Sequence, residues 1–155
     1  MNSDIRLVDM ELSFQRLPMR TPLKFGTGVS DKITSLVVEA TVENRCGQVA
    51  VGLGNILLSS LWGYPSAIMS PEQLDTAMRT MAERFCQFML ENAQFGHPMD
   101  LFLEAKAELP RLSAQVDSDL SSPDPMPLLG ALVCASPVDA ALTDGFGKAN
   151  GICSY

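Results

Sequence analysis

The stretch Ile33-Thr34-Ser35-Leu36-Val37-Val38-Glu39-Ala40-Thr41-Val42-Glu43, followed by Asn44-Arg45-Cys46-Gly47, decides the fold. On an extended chain Leu36, Val38, Ala40 and Val42 share one face, and Glu39, Thr41 and Glu43 oppose them. Successive side chains of a strand point to opposite sides, so this alternation means one buried and one wetter face, as in an antiparallel sheet. Asn44 to Gly47 is a short turn of the hairpin kind. After it Val49, Val51 and Leu53 carry the alternation on and are expected to continue the apolar face in a third strand. Upstream, residues 5–14 repeat the pattern, with Val8, Met10, Leu12 and Phe14 on one face and Asp9, Glu11 and Ser13 mostly on the other.

Two connections are longer than a compact meander requires, and such segments are usually functional or mobile. Residues 16–30, between the first two strands, hold Pro18, Pro22, Gly26 and Gly28. Residues 55–66, after the third, hold Trp62, Gly63, Tyr64 and Pro65. The rest of the chain follows a helical period. Ser70-Pro71-Glu72-Gln73 is a helix start, with Ser70 as N-cap, Pro71 in the first helical position and Gln73 closing a capping box. Leu74, Met78, Met81, Phe85 and Phe88 or Met89 then form one apolar stripe, until Gly96 and Pro98 stop the helix.

A second helix is expected over residues 99–109, with Phe102 and Leu109 inward and Glu104, Lys106 and Glu108 outward. Residues 116–127, rich in Asp, Ser and Pro, read as an exposed loop. A third helical region covers 128–135. Ser136-Pro137-Val138-Asp139 is expected to open a fourth, which runs to about Asn150 with Gly151 as its C-terminal cap. Strands first and helices after predict an α+β fold, a three-stranded antiparallel meander followed by a helical layer.

The 155 residues suffice for one domain with its own core and are too few for an eight-stranded α/β barrel, which takes about 250. Eighteen acidic residues against eleven Lys and Arg give a net charge of -7. The densest basic stretch, Arg16, Arg20 and Lys24, forms no patch, so nucleic acid and anionic membrane surfaces are not expected partners. No apolar run reaches the ~18 residues of a membrane span, and the polar start Met1-Asn2-Ser3-Asp4 does not read as a signal peptide. Cys46, Cys86, Cys134 and Cys153 lie far apart without a Cys-x-x-Cys pair, and His97 is the single histidine. Zinc is therefore not expected, and scattered thiols suit a reducing, cytoplasmic setting.

Motif by motif, the chain offers no catalytic constellation. Gly52-Leu53-Gly54 lacks the third glycine and the crossover helix of a dinucleotide loop. Asp117-Ser118-Asp119 opens like a calcium loop, but Ser122 and Leu128 stand where Gly and Glu belong. Asp139 and Asp144 project about 140° apart on a helix and do not share a metal. His97 reads as a turn residue. Trp62 and Tyr64 either pack against the domain or form a lid or interface, because each has an apolar body and a polar tip. Arg20 and Lys24 are either solvated or contact an anionic substrate group.

The segment Ser136-Pro137-Val138-Asp139-Ala140-Ala141-Leu142-Thr143-Asp144-Gly145-Phe146-Gly147-Lys148-Ala149-Asn150-Gly151 resembles the helix that joins the N-terminal capping domain to the barrel in the enolase superfamily, of the mandelate racemase and muconate-lactonizing type. There the pattern is roughly Asp-Ala-Ala-Leu-x-Asp-Ala-x-Gly-Lys-x-x-Gly, and Asp144, Gly147, Lys148 and Gly151 fall into place. Thr143 stands where many members carry His or Trp, and Gly145 where they carry Ala. Pro22-Leu23-Lys24-Phe25-Gly26 is similar to the family's first substrate-facing loop. Val51-Gly52-Leu53-Gly54-Asn55 is similar to its third strand, with Asn55 at a frequent Glu.

The resemblance implies a capping domain over residues 1–135 and a joining helix over 136–155 that leads toward a (β/α)8 barrel. Family members abstract a proton alpha to a carboxylate, hold the enediolate on magnesium, and keep bases and metal ligands on the barrel. By that reading this chain holds no catalytic residue and no cofactor, and magnesium belongs only to a full-length enzyme. Its loops, about 17–28 and 55–65, would close over the barrel mouth and select a small carboxylate substrate. Arg20 and Lys24 are the expected polar contacts, with Phe25, Trp62 and Tyr64 as apolar walls. The joining helix is expected to expose an apolar face to the barrel. The alternative is a stand-alone, non-catalytic binding or dimerisation module, in which the exposed apolar surface meets a second copy.

Overall fold

The computed structural model describes residues 3–25 and 28–154, the side chain of Phe25 excepted. Three strands, β1 (Ile5–Phe25), β2 (Gly28–Asn44) and β3 (Val49–Leu58), form an antiparallel sheet in the order β1-β2-β3. Five helices follow: α1 (Ser60–Gly63), α2 (Pro71–Glu91), α3 (Pro98–Lys106), α4 (Leu109–Asp119) and α5 (Leu128–Asn150). This is the expected α+β arrangement. Tyr64, Phe85, Ile5, Leu36, Met78 and Leu142 are among the largest fully buried side chains between sheet and helices.

β2 buries Leu36, Val38, Ala40 and Val42 as its alternation predicts. Its two neighbours depart from expectation. In β1 the register steps between Leu7↔Val42 and Asp9↔Thr41, leaving Val8 opposite no partner. This bulge reverses the parity, so Ile5 and Leu7 join Met10 on the inner face while Val8 is exposed. In β3 the expected face is inverted. Ala40 pairs with Gly52 and Val38 with Gly54, so the glycines face inward and Val49, Val51 and Leu53 face out.

The cause is the close approach of α5. A Cβ on Gly52 would lie 1.9 Å from the Ala141 carbonyl oxygen, and one on Gly54 would lie 1.8 Å from that of Pro137. Only glycine allows the strand and the helix backbone to touch in this way.

The expected loop over 16–30 is largely strand. β1 and β2 run on as a long two-stranded ribbon, paired to Phe25↔Gly28. Between Pro18↔Lys32 and Leu23↔Ser30 the residues Met19, Arg20, Thr21 and Pro22 face only Asp31, so the ribbon is irregular there. Pro22 cannot donate to a ladder and fits this break. Residues 55–58 likewise belong to β3, which shortens the second connection.

Ser70 and Gln73 form the expected capping box of α2: the Ser70 amide donates to Gln73 Oε1 at 2.8 Å, and the Gln73 amide to Ser70 Oγ at 3.2 Å. The single helix expected over 99–109 is two. α3 ends at Lys106, and α4 occupies the first part of the expected 116–127 loop while burying Leu109, Leu112 and Val116.

The break expected at Ser136 is absent as well. α5 is continuous, so the 135/136 boundary lies within it. Pro137 has no amide to give the Val133 carbonyl, and the Ser136 hydroxyl donates to that carbonyl instead, at 3.0 Å. The joined helix has 23 residues, and its most apolar 18-residue window has a mean hydropathy of 1.2, long and apolar enough by length and composition to cross a membrane. Here its apolar residues pack against the sheet and α2. Along α5 the well-exposed apolar side chains are Leu128 and Leu129 in its first turn, and Leu132, Val133 and Phe146 are half-buried.

Candidate functional site

The Asp144 to Gly151 stretch of α5 explains itself first, as structure. β3 is an edge strand, and unpaired edge backbone is a liability that folds must cover. Asp144 accepts the Leu53 N–H at 2.8 Å, and the Lys148 ammonium donates to the Val51 carbonyl at 3.0 Å and to Asp144 at 2.7 Å. Burial by itself raises the Asp144 carboxyl; the bonds from Lys148 and Leu53 outweigh it and hold the group below the usual carboxylate value. Gly145 faces Val42, and Gly147 faces Ser154, where a Cβ would lie 1.8 Å from the hydroxyl. Gly151, with φ of 64°, caps the helix in the left-handed region. These residues clamp strand to helix and carry no chemistry.

At the other end of the sheet, the base of the ribbon meets the β3–α1 connection and the start of α2. Arg16, Met19, Leu23, Ser30, Lys32 and Thr34 come from the ribbon, Ser59 from the connection, Ser60 and Leu61 from α1, and Pro71 and Asp75 from α2. They line a shallow cleft of about 50 Å³. Thr34 donates its hydroxyl to Asp75, which also lies 4.0 Å from Arg79, and Arg79 stacks over the Phe14 ring at 4.8 Å. Arg16 reaches Glu72 at 3.4 Å; both are well exposed, so this pair holds the guanidinium only weakly. The cleft thus brings together two cationic groups, the Asp75 carboxylate, several hydroxyls and an apolar rim.

The expected site residues divide. Arg20 is exposed in the irregular part of the ribbon, and Lys24 is exposed near its tip opposite Val29. Trp62 sits on α1, 60% exposed. None of the three lines the cleft. Phe25 ends β1, and its side chain lies outside the described residues.

Tyr64 is a correction. It is fully buried, and its hydroxyl donates to the Asp124 carbonyl. Burial first, and the Asp117 charge next, push that hydroxyl up to about 12. Tyr64 ties α1 to the α4–α5 loop and has no surface to offer a ligand. A loop over 16–30 gives Arg16 no fixed place, whereas the ribbon pairs it with Thr34; Lys32, Thr34 and Asp75 lie outside that stretch, and the tertiary fold brings them to the cleft.

Magnesium binds to several converging oxygen ligands. Among the described residues no group of three or more His, Cys, Asp or Glu side chains is placed to hold a metal ion.

No protein-family model matches the sequence, and no curated protein matches it. Solved structures do. An enolase from Bradyrhizobium complexed with magnesium and mandelic acid matches with a TM-score of 0.53 at 18% identity, over 97% of this chain and 34% of its own. L-talarate/galactarate dehydratase from Salmonella typhimurium LT2 matches with 0.53 at 20% identity, over 96% and 32%. L-Ala-D/L-Glu epimerase from Bacillus subtilis matches with 0.51 at 16% identity, over 92% and 31%. The chain spans about a third of the length of the structures it matches, and its fold is that of the capping domain of enolase-superfamily structures.

Proposed function

We propose that this chain is the capping part of a magnesium-dependent enzyme of the enolase superfamily that abstracts a proton alpha to a carboxylate, and that it selects substrate while a barrel supplies the chemistry. The observation that carries the reading is the meeting of ribbon and β3–α1 connection at one end of the sheet, around a cleft bearing Arg16 and Lys32. In this role Arg16, Lys32 and the ribbon residues Arg20 and Lys24 contact carboxylate or hydroxyl groups, and Trp62 supplies an apolar surface that excludes water. The chain by itself turns over no substrate, and magnesium is held by carboxylates outside it.

The test is kinetic. In the enzyme that carries this domain, Arg16→Ala and Lys24→Ala raise KM for the carboxylate substrate about tenfold and leave kcat within about threefold. A fall in kcat with KM unchanged would refute a selecting role.

One observation favours a second reading, a module that pairs with its own copy. Val8, Val49, Val51, Leu53 and Leu57 are exposed on the outer face of the sheet. A row of this kind fits a two-fold interface better than it fits solvent. Sedimentation of the chain separates the readings: a discrete dimer abolished by Leu53→Glu supports the module, and a monomer supports the cap.

A further inference from the structure

Between α3 and α5, away from the ribbon cleft, runs a groove of about 560 Å³. Met99, Phe102 and Leu103 of α3 form one wall, and Leu132 and Phe146 of α5 the other. Leu132, Asp139, Thr143 and Phe146 recur at spacings of seven, four and three, so they share one helix face. Thr143 is short, and the groove stays open beside it. The volume falls within the ~300–1,000 Å³ of small-molecule sites, and apolar walls with few polar groups are their usual lining.

The polar groups have distinct states. His97 caps α3, with Nδ1 accepting the Met99 N–H at 3.3 Å, and its ring meets Phe146 edge-on at 5.1 Å. The ring thus forms part of the groove wall. Lys106 lies along the groove and forms no ion pair with Asp139 among the described residues. Asp139 is half-buried, and burial is the only influence on its carboxyl, which it raises; no hydrogen bond or charge compensates it. A carboxylate drawn out of water without a partner is stabilised by an added cation. The chain's net charge of -7 also favours cations over anions.

We propose that the α3–α5 groove binds a small organic monoamine, with its ammonium on Asp139 and its aromatic or branched aliphatic body between Leu103 and Phe146. This site is independent of the capping role and stands or falls alone. The probe is 2-phenylethylamine, titrated into the 155-residue protein at neutral pH and low salt and followed by calorimetry and by amide chemical shifts. Saturable one-to-one binding is expected, with shifts centred on Leu103, Thr143 and Phe146. The neutral isostere 2-phenylethanol binds about tenfold more weakly or worse, and Asp139→Asn removes the difference between the two. Leu103→Trp fills the groove from its exposed edge and abolishes binding without touching Asp139. Absence of saturation, equal affinity for amine and alcohol, or shifts located elsewhere overturns the proposal.

Discussion

Replacing Gly52 by alanine adds one methyl group where the structure leaves no room. The new carbon would lie 1.9 Å from the Ala141 carbonyl oxygen and 2.3 Å from the Gly145 amide nitrogen, both backbone atoms of α5. An ordinary carbon–oxygen contact needs about 3.2 Å, so strand and helix must part by more than about 1 Å. That separation also lengthens the Leu53–Asp144 and Lys148–Val51 hydrogen bonds, now 2.8 and 3.0 Å, beyond useful range. Overpacking of a close contact costs about 1–3 kcal/mol, and two charge-assisted bonds at a partly exposed edge add about 1–2 kcal/mol. The expected loss is about 2–5 kcal/mol, a large share of the ~5–15 kcal/mol that holds a domain together. Urea unfolding of Gly52→Ala at pH 7 measures it, and the melting temperature should fall by about 6–15 °C. Gly47→Ala is the control, since nothing lies within 4 Å of that position and only its φ of 80° penalises a side chain, by about 1–2 kcal/mol. A Gly52→Ala stability within about 0.5 kcal/mol of the parent would refute the close approach and the reason given for the inverted face of β3.

The other expectations follow from single groups. Asp144→Asn lowers stability by about 1 kcal/mol at neutral pH. Because the folded carboxyl sits below its usual value of 3.8, that contribution is full above the unfolded value and fades as pH falls through the lower folded one, so acid unfolding of the variant is shallower. Asp139 has the opposite sign: its folded carboxyl is raised, so its charge works against folding as pH rises past 3.8. Asp139→Asn therefore matches or exceeds the parent's stability at pH 7, with the gap closing in acid. Tyr64→Phe removes the hydroxyl bond to Asp124 and costs about 1 kcal/mol, with amide exchange in residues 120–127 speeding first. Ser136→Ala leaves the Val133 carbonyl without its donor and costs about 1 kcal/mol in thermal unfolding.

Period and capping chemistry made much of the fold legible. The β2 alternation, the Ser70–Gln73 box and the Leu74–Met89 stripe depend on neighbours close in sequence, and they stand as read. What escaped depends on distant parts of the chain. Nothing near Gly52 shows that Ala141 will lie against it. The inverted face of β3 is a tertiary consequence of where α5 sits, and the bulge at Val8 breaks an alternation that reads as regular along the sequence. Pro137 looked like a helix start because Pro in a first turn is common, and the Ser136 hydroxyl that lets the helix pass through it is visible only in three dimensions.

The site shows the same division. Arg20, Lys24 and Trp62, expected on loops, lie on β1 and on the short helix α1, and Arg16 and Lys32 share a cleft because the expected loop is a ribbon. Of the two readings open for Tyr64 the structure shows packing against the domain, with the Asp124 carbonyl as the buried partner of its hydroxyl, and not the apolar wall that the family resemblance implies.

The capping proposal is tested most directly by the size of the protein in the cell that makes it. The matched structures devote about a third of their length to this fold, so an antibody against the chain should reveal a product about three times its 16.8 kDa. A discrete native product of 16.8 kDa, with no longer form, would contradict it.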